Sequence, residues 1–130
     1  MTIDVRLIAR HLGFLLLVLS GLLLVLAIFS VLANLYSGRE DYSDTTALLL
    51  STATGGATGG LMALAGRSSA TLIGQREALF LVTLSWLFGA ETAALPFRCW
   101  AAVRPHAGAI AHPFDSSVNC YFEAMSGLTT

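Results

Sequence analysis

Lysine is absent from this 130-residue chain, and charge of either sign is scarce. Only 12% of the residues are charged, against about 25% in a soluble domain. All seven cations are arginines and the formal net charge is −1, which excludes the basic footprint of a nucleic-acid-binding domain. Cysteine is limited to Cys99 and Cys120. That excludes a C-x-x-C motif or a disulfide framework, and the spacing favours neither a Cys99–Cys120 bridge nor two free thiols. The G-K-[S/T] of a phosphate-binding loop is missing, and so is a G-x-S-x-G elbow.

What remains is apolar: 55% of the residues are hydrophobic and the mean hydropathy is +0.74. Leu12 to Tyr36 is an uncharged run, LGFLLLVLSGLLLVLAIFSVLANLY. A bilayer core about 30 Å thick needs about 20 apolar residues as helix, so this run predicts a span. Arg6, Arg10 and Val31-Leu32-Ala33 loosely imitate a signal peptide, but signal cores are only about 7–15 residues long. Thr45 to Ala65 is uncharged again and predicts a second span. Gly55 and Gly59 continue a row begun by Ser51, and Gly56 and Gly60 one begun by Thr52. Two such stripes of small residues let a neighbouring helix backbone approach closely. Ala78 to Phe97 predicts a third span with a single charge, Glu91. Pro96 is expected to break it near its end, leaving a loop from Cys99 to Pro113.

The two ends flanked by Arg6 and Arg10, and by Arg67 and Arg76, carry four arginines. The other side carries Arg39, Arg98 and Arg104. Cation counts of this kind place the N-terminus inside. Phe114 to Leu128 is too short to span. Asp115, Ser116, Ser117 and Asn119 are capable of capping its start, and Tyr121, Phe122, Met125 and Leu128 share one side. A short helix that goes in, meets Ser126-Gly127 and does not cross reads as a re-entrant segment. Such backbone is tolerated only beside protein or water, and its carbonyls can replace an ion's hydration shell.

The stretches REALFLVTLSWLFGAETAALPF and NCYFEAMSGLTT resemble the TrkH/KtrB family of potassium-uptake proteins. The likeness rests on Arg76-Glu77, Trp86, Ala94–Phe97 and the phrase from Phe122 to Thr130. It implies an all-α integral membrane protein: three transmembrane helices plus a re-entrant pore helix, the first part of a four-repeat helix–pore-loop–helix fold. Residues 1–66 would be a leading helix pair and 67–77 a cytoplasmic link. Residues 78–130 would be a truncated first repeat: outer helix 78–98, extracytoplasmic loop 99–114, pore helix 115–128 and filter start 129–130.

The resemblance further implies potassium as the transported ion, selected by backbone carbonyls that begin with Thr129 and Thr130. Asn119, Glu123, Ser126 and Gly127 would support the pore helix, and Gly55, Gly56, Gly59 and Gly60 would pack helices. It implies residence in the lipid bilayer of the inner membrane, a homodimer at full length, a cytoplasmic nucleotide-binding regulatory subunit, no cofactor and no enzymatic activity. A chain ending at Thr130 would stop inside a filter and be inactive alone. Two positions depart from the family: Asn119 stands where aspartate is usual, and Glu91 lies where the helix is commonly uncharged.

Other readings carry less. His106, His112, Asp115, Cys99 and Cys120 lack zinc-like spacing. Ser85, Ser116 or Ser126 with a histidine would make an intramembrane hydrolase, with no motif to support it. An alternative of another class is a small membrane-anchored helper subunit that packs through the Gly55/Gly59 and Gly56/Gly60 helix face.

Overall fold

A computed structural model describes residues 4–38, 42–67, 73–104 and 112–129. Among these the chain is all helical. Its elements are α1 (Val5–Ser37), α2 (Ser43–Ala65), α3 (Gln75–Val103), a single 3-10 turn (Pro113–Asp115) and α4 (Ser117–Thr129). α1, α2 and α3 are each long and apolar enough to cross a membrane. Their large side chains point outward: Phe14, Val18, Leu22, Phe29, Leu79 and Trp86 are exposed, while the buried set is dominated by small residues. Apolar outside and small inside is the distribution expected where lipid replaces water as the solvent. This is a membrane protein.

The helices start and stop for local reasons. Asp4 caps α1, its carboxylate accepting from the Arg6 and Leu7 backbone N–H groups at 3.0 and 3.2 Å. This carries the helix well before the uncharged run begins. Gly38 ends it at φ 63, a left-handed conformation that glycine adopts without steric cost. α2 hides its many hydroxyls by donating them to carbonyls one turn back. Ser51 bonds to Ala47, Thr52 to Leu48, Thr54 to Leu50 and Thr58 to Thr54, at 2.7–2.9 Å.

α1 and α2 form a close hairpin. On α1 the buried small or polar residues are Gly13, Ser20, Ala27 and Asn34, a strict seven-residue repeat that keeps one seam facing its neighbour. On α2 the buried row is Ala47, Ser51, Gly55 and Gly59, four apart. A Cβ on Gly59 would sit 3.0 Å from the Gly13 carbonyl and the Leu16 Cβ, and one on Gly66 would sit 2.5 Å from the Arg6 carbonyl. A polar clasp closes the opposite end. Ser30 and Thr45 share a hydroxyl–hydroxyl bond of 2.8 Å, and the Asn34 amide donates to Thr45 at 3.1 Å.

Pro96 does not end α3, which continues to Val103. The first five residues of the expected loop, Cys99 to Val103, are therefore helical. Proline removes one helical donor, and transmembrane helices tolerate that when neighbours support them. Here Thr92, Ala94 and Phe97 are held against α2 or α4. The turn closes normally, with the Arg104 N–H donating to the Trp100 carbonyl at 2.9 Å. Glu91, the lone acid of the span, pairs with Arg98 two turns on along the same helix.

Candidate functional site

The segment singled out by sequence lies beyond α3. α4 starts beside the C-terminal end of α3 and turns back along it. Cys120 and Ala124 lie buried against Ala94, with Ala93, Phe97 and Phe114 around them. The Cys120 thiol donates to the Phe114 carbonyl at 3.2 Å, and Cys99 and Cys120 are both free thiols. Thus α4 docks by its small face. Its larger side chains look outward, with Val118 at 76% exposure and Phe122 at 71%.

The start of α4 is fixed at a polar and aromatic corner. Asp115 accepts the His112 backbone N–H at 2.7 Å. It also accepts the Arg104 guanidinium at 2.8 and 2.9 Å. The Arg104 guanidinium lies 5.3 Å from the Trp100 ring, a cation–π arrangement. Phe97 and Phe114 pack at 4.9 Å, and the edge of His112 meets Trp100 at 5.1 Å. Asn119 donates to the Pro113 carbonyl at 3.0 Å, so its amide ties the 3-10 turn to α4. His112 and Asp115, weighed as metal ligands by sequence, are instead a reciprocal cap. His106 lies outside the described residues.

The His112 N–H and then the Arg104 guanidinium hold the Asp115 carboxyl below the usual carboxylate range. A depressed carboxyl stabilises the fold above its unfolded value of about 3.9, and that contribution is lost as pH falls through the lowered midpoint. Carbon-13 titration of the Asp115 carboxyl should report a midpoint below the ordinary one. Arg104→Leu should raise it only partway, because the backbone bond from His112 remains. A full return to the ordinary value would assign the corner to Arg104 alone.

The far end of α4 runs one residue past the expected pore helix, 115–128. The helix runs through Ser126-Gly127 to Thr129, whose hydroxyl donates back to the Met125 carbonyl at 2.9 Å. One glycine costs a helix only about 1 kcal/mol, too little to stop it unaided. Thr129 therefore sits in a helical turn, and Thr130 lies outside the described residues. Glu123 and Ser126 are exposed, and a Cβ on Gly127 would meet nothing within 4 Å. The tip residue Leu128 lines a 410 Å³ apolar cavity with Leu15 and Leu19 of α1 and with Leu81, Ser85 and Gly89 of α3.

Of the four helix-packing glycines, Gly55 and Gly59 face α1, with Gly55 also close to Thr92 of α3. Gly60 meets nothing within 4 Å, and Gly56 only the Ser20 Cβ at 3.9 Å. Sequence reasoning missed Gly13 and Gly66, both of which sit against a neighbouring backbone. The seven-residue spacing of Gly13, Ser20, Ala27 and Asn34 was the available signal for the first. Comparison with known protein families, with curated proteins and with solved structures finds no match.

Proposed function

We propose that the chain is the first part of a potassium-uptake protein of the TrkH/KtrB type, with α3 as the outer helix and α4 as the pore helix of a first repeat. One observation carries this reading: the course of α4. It begins at the polar end of α3, and its tip lines a cavity with residues from the middle of α1 and α3. A helix that starts at the polar end of α3 and runs back along it to the level of Ser85 and Gly89 fits the course of a pore helix.

In this reading Thr129 and Thr130 lead into a filter whose carbonyls replace the hydration shell of potassium, and three further repeats close the ring. Glu123 adds negative potential near the ion path. The N-terminus lies in the cytoplasm, the host is the inner membrane, and the whole protein dimerises on a nucleotide-binding regulatory subunit. Transport involves no bond chemistry, so no enzymatic activity is assigned.

The test begins with the coding DNA beyond Thr130. A Thr-Gly pair followed by an apolar span of about 20 residues is expected. The full reading frame should then restore growth of a potassium-uptake-deficient strain at low potassium. A stop codon directly after Thr130, or no restoration by a well-expressed full frame, would sink the transport reading.

A second reading, a membrane-anchored helper subunit, is favoured by the open Gly60 position. With Gly55 and Gly59 already against α1, the partner helix would use the Thr52, Gly56 and Gly60 row. Gly60→Leu would then abolish partner capture and leave the fold intact.

A further inference from the structure

The geometry points to a binding site for a small organic ammonium group between the start of α2 and the end of α3. A cavity of about 270 Å³ opens there. Phe97, Trp100 and Phe114 supply three aromatic rings to its lining, Leu48 and Pro96 add apolar wall, and Asp44 contributes one carboxylate. Among the described residues no cation pairs with Asp44. The size decides the class of occupant. Sites for drug-sized molecules run from about 300 to 1,000 Å³, so this one suits a headgroup-sized ligand.

The chemistry narrows it further. Calcium or magnesium needs six or more oxygen ligands and zinc four from nitrogen, sulfur or oxygen, and one carboxylate among aromatic rings provides neither set. An anion is repelled by Asp44. A substituted ammonium ion spreads its charge over methyl or methylene groups, tolerates apolar walls and is drawn to aromatic faces. The same attraction already operates at one lining ring, where the Arg104 guanidinium lies 5.3 Å from the Trp100 ring centroid. The cavity sits where α2 begins and α3 ends. Tyr42 and Trp100 mark that level as the interface, where amphipathic rings meet lipid headgroups. The ammonium group therefore has two available sources, the headgroup of a choline- or ethanolamine-type lipid and a free amine. The site does not depend on the transport reading.

The test uses the 130-residue chain, nitrogen-15 labelled, in bilayer discs of anionic phosphatidylglycerol, which carries no ammonium. The probe is tetramethylammonium chloride. The Trp100 indole N–H resonance, assigned by its persistence in Trp86→Phe, should move saturably, while potassium chloride at the same concentration leaves it in place. Asp44→Asn should weaken binding about fivefold, the scale of one exposed charge contact. Phe97→Leu, which keeps bulk and removes the ring face, should weaken it about threefold. Asp44 is exposed, so its variant should retain the helical signal of the parent. An equal shift with potassium chloride, no saturation, or unchanged affinity in both variants overturns the site. Discs made with a choline-headgroup lipid then separate the sources. A loss of apparent tetramethylammonium affinity identifies the lipid as resident ligand, and unchanged affinity identifies a free amine.

Discussion

Alanine at Gly13 is expected to force α1 and α2 apart. The added Cβ would lie 2.7 Å from the Gly59 carbonyl and against the Ala63 backbone nitrogen. Both are main-chain atoms inside helices, so no rotamer change relieves the clash and one helix must shift. Overpacking of a tight interface costs about 1–3 kcal/mol, and here the shift also loosens Gly59 on Leu16. Gly21→Ala is the matched control, because a Cβ there meets nothing within 4 Å and removing a helix glycine is mildly stabilising. Unfolding of the purified chain in mixed micelles, with rising denaturing detergent, should show Gly13→Ala opening first and Gly21→Ala at or above the parent. If both variants unfold with the parent, the hairpin is not held by this crossing.

Leucine at Ala94 should lift α4 off α3 at Cys120 and Ala124. Ala94 and Cys120 are both fully buried against each other's helix, and the seam has room only for small side chains. A penalty of about 1–3 kcal/mol corresponds to about a 5- to 150-fold rise in the open population. The corner formed by Arg104, Trp100 and Asp115 would keep α4 tethered through the turn before it, so α4 opens without leaving α3. In a Cys99→Ser background, maleimide labelling of the Cys120 thiol should accelerate by at least about fivefold in the variant. A labelling rate equal to that of the parent would mean that Ala94 does not hold α4.

How much of this was readable beforehand follows from which signals are one-dimensional. The three spans were, because lack of charge over about 20 residues is visible without a partner. Their bounds were not. Each helix runs beyond its uncharged run at one end at least, since hydrogen bonding and caps such as Asp4 set the ends of a helix, whereas charge marks only the lipid core. The Ser51–Gly55–Gly59 row could be read as a packing stripe, but the identity of its partner could not. That depended on Gly13 and Ser20, which are isolated small residues in a leucine-rich run. The Pro96 break failed because neighbouring helices support the residues around it. The Arg104–Asp115 lock joins residues eleven apart in sequence, a distance at which sequence offers no periodicity to follow. Glu91 and Arg98 lie two helical turns apart, and only coordinates could pair them. Of the two proposed filter residues, Thr129 lies in a helical turn and Thr130 lies outside the described residues.

The unequal greasiness of the first two helices bears on how the protein is made. The best window of α1 has a mean hydropathy of 3.0 and that of α2 only 1.3. A nascent α1 leaving the ribosome would partition into lipid unaided. α2, rich in threonine and glycine, is a poor candidate to do so alone. Its back-bonded hydroxyls lower the penalty, and the seven-residue seam on α1 offers a surface already at membrane depth. Insertion as a pair, with the first helix acting as a template for the second, follows from that asymmetry. The glycines along the crossing then serve biogenesis as much as the finished fold.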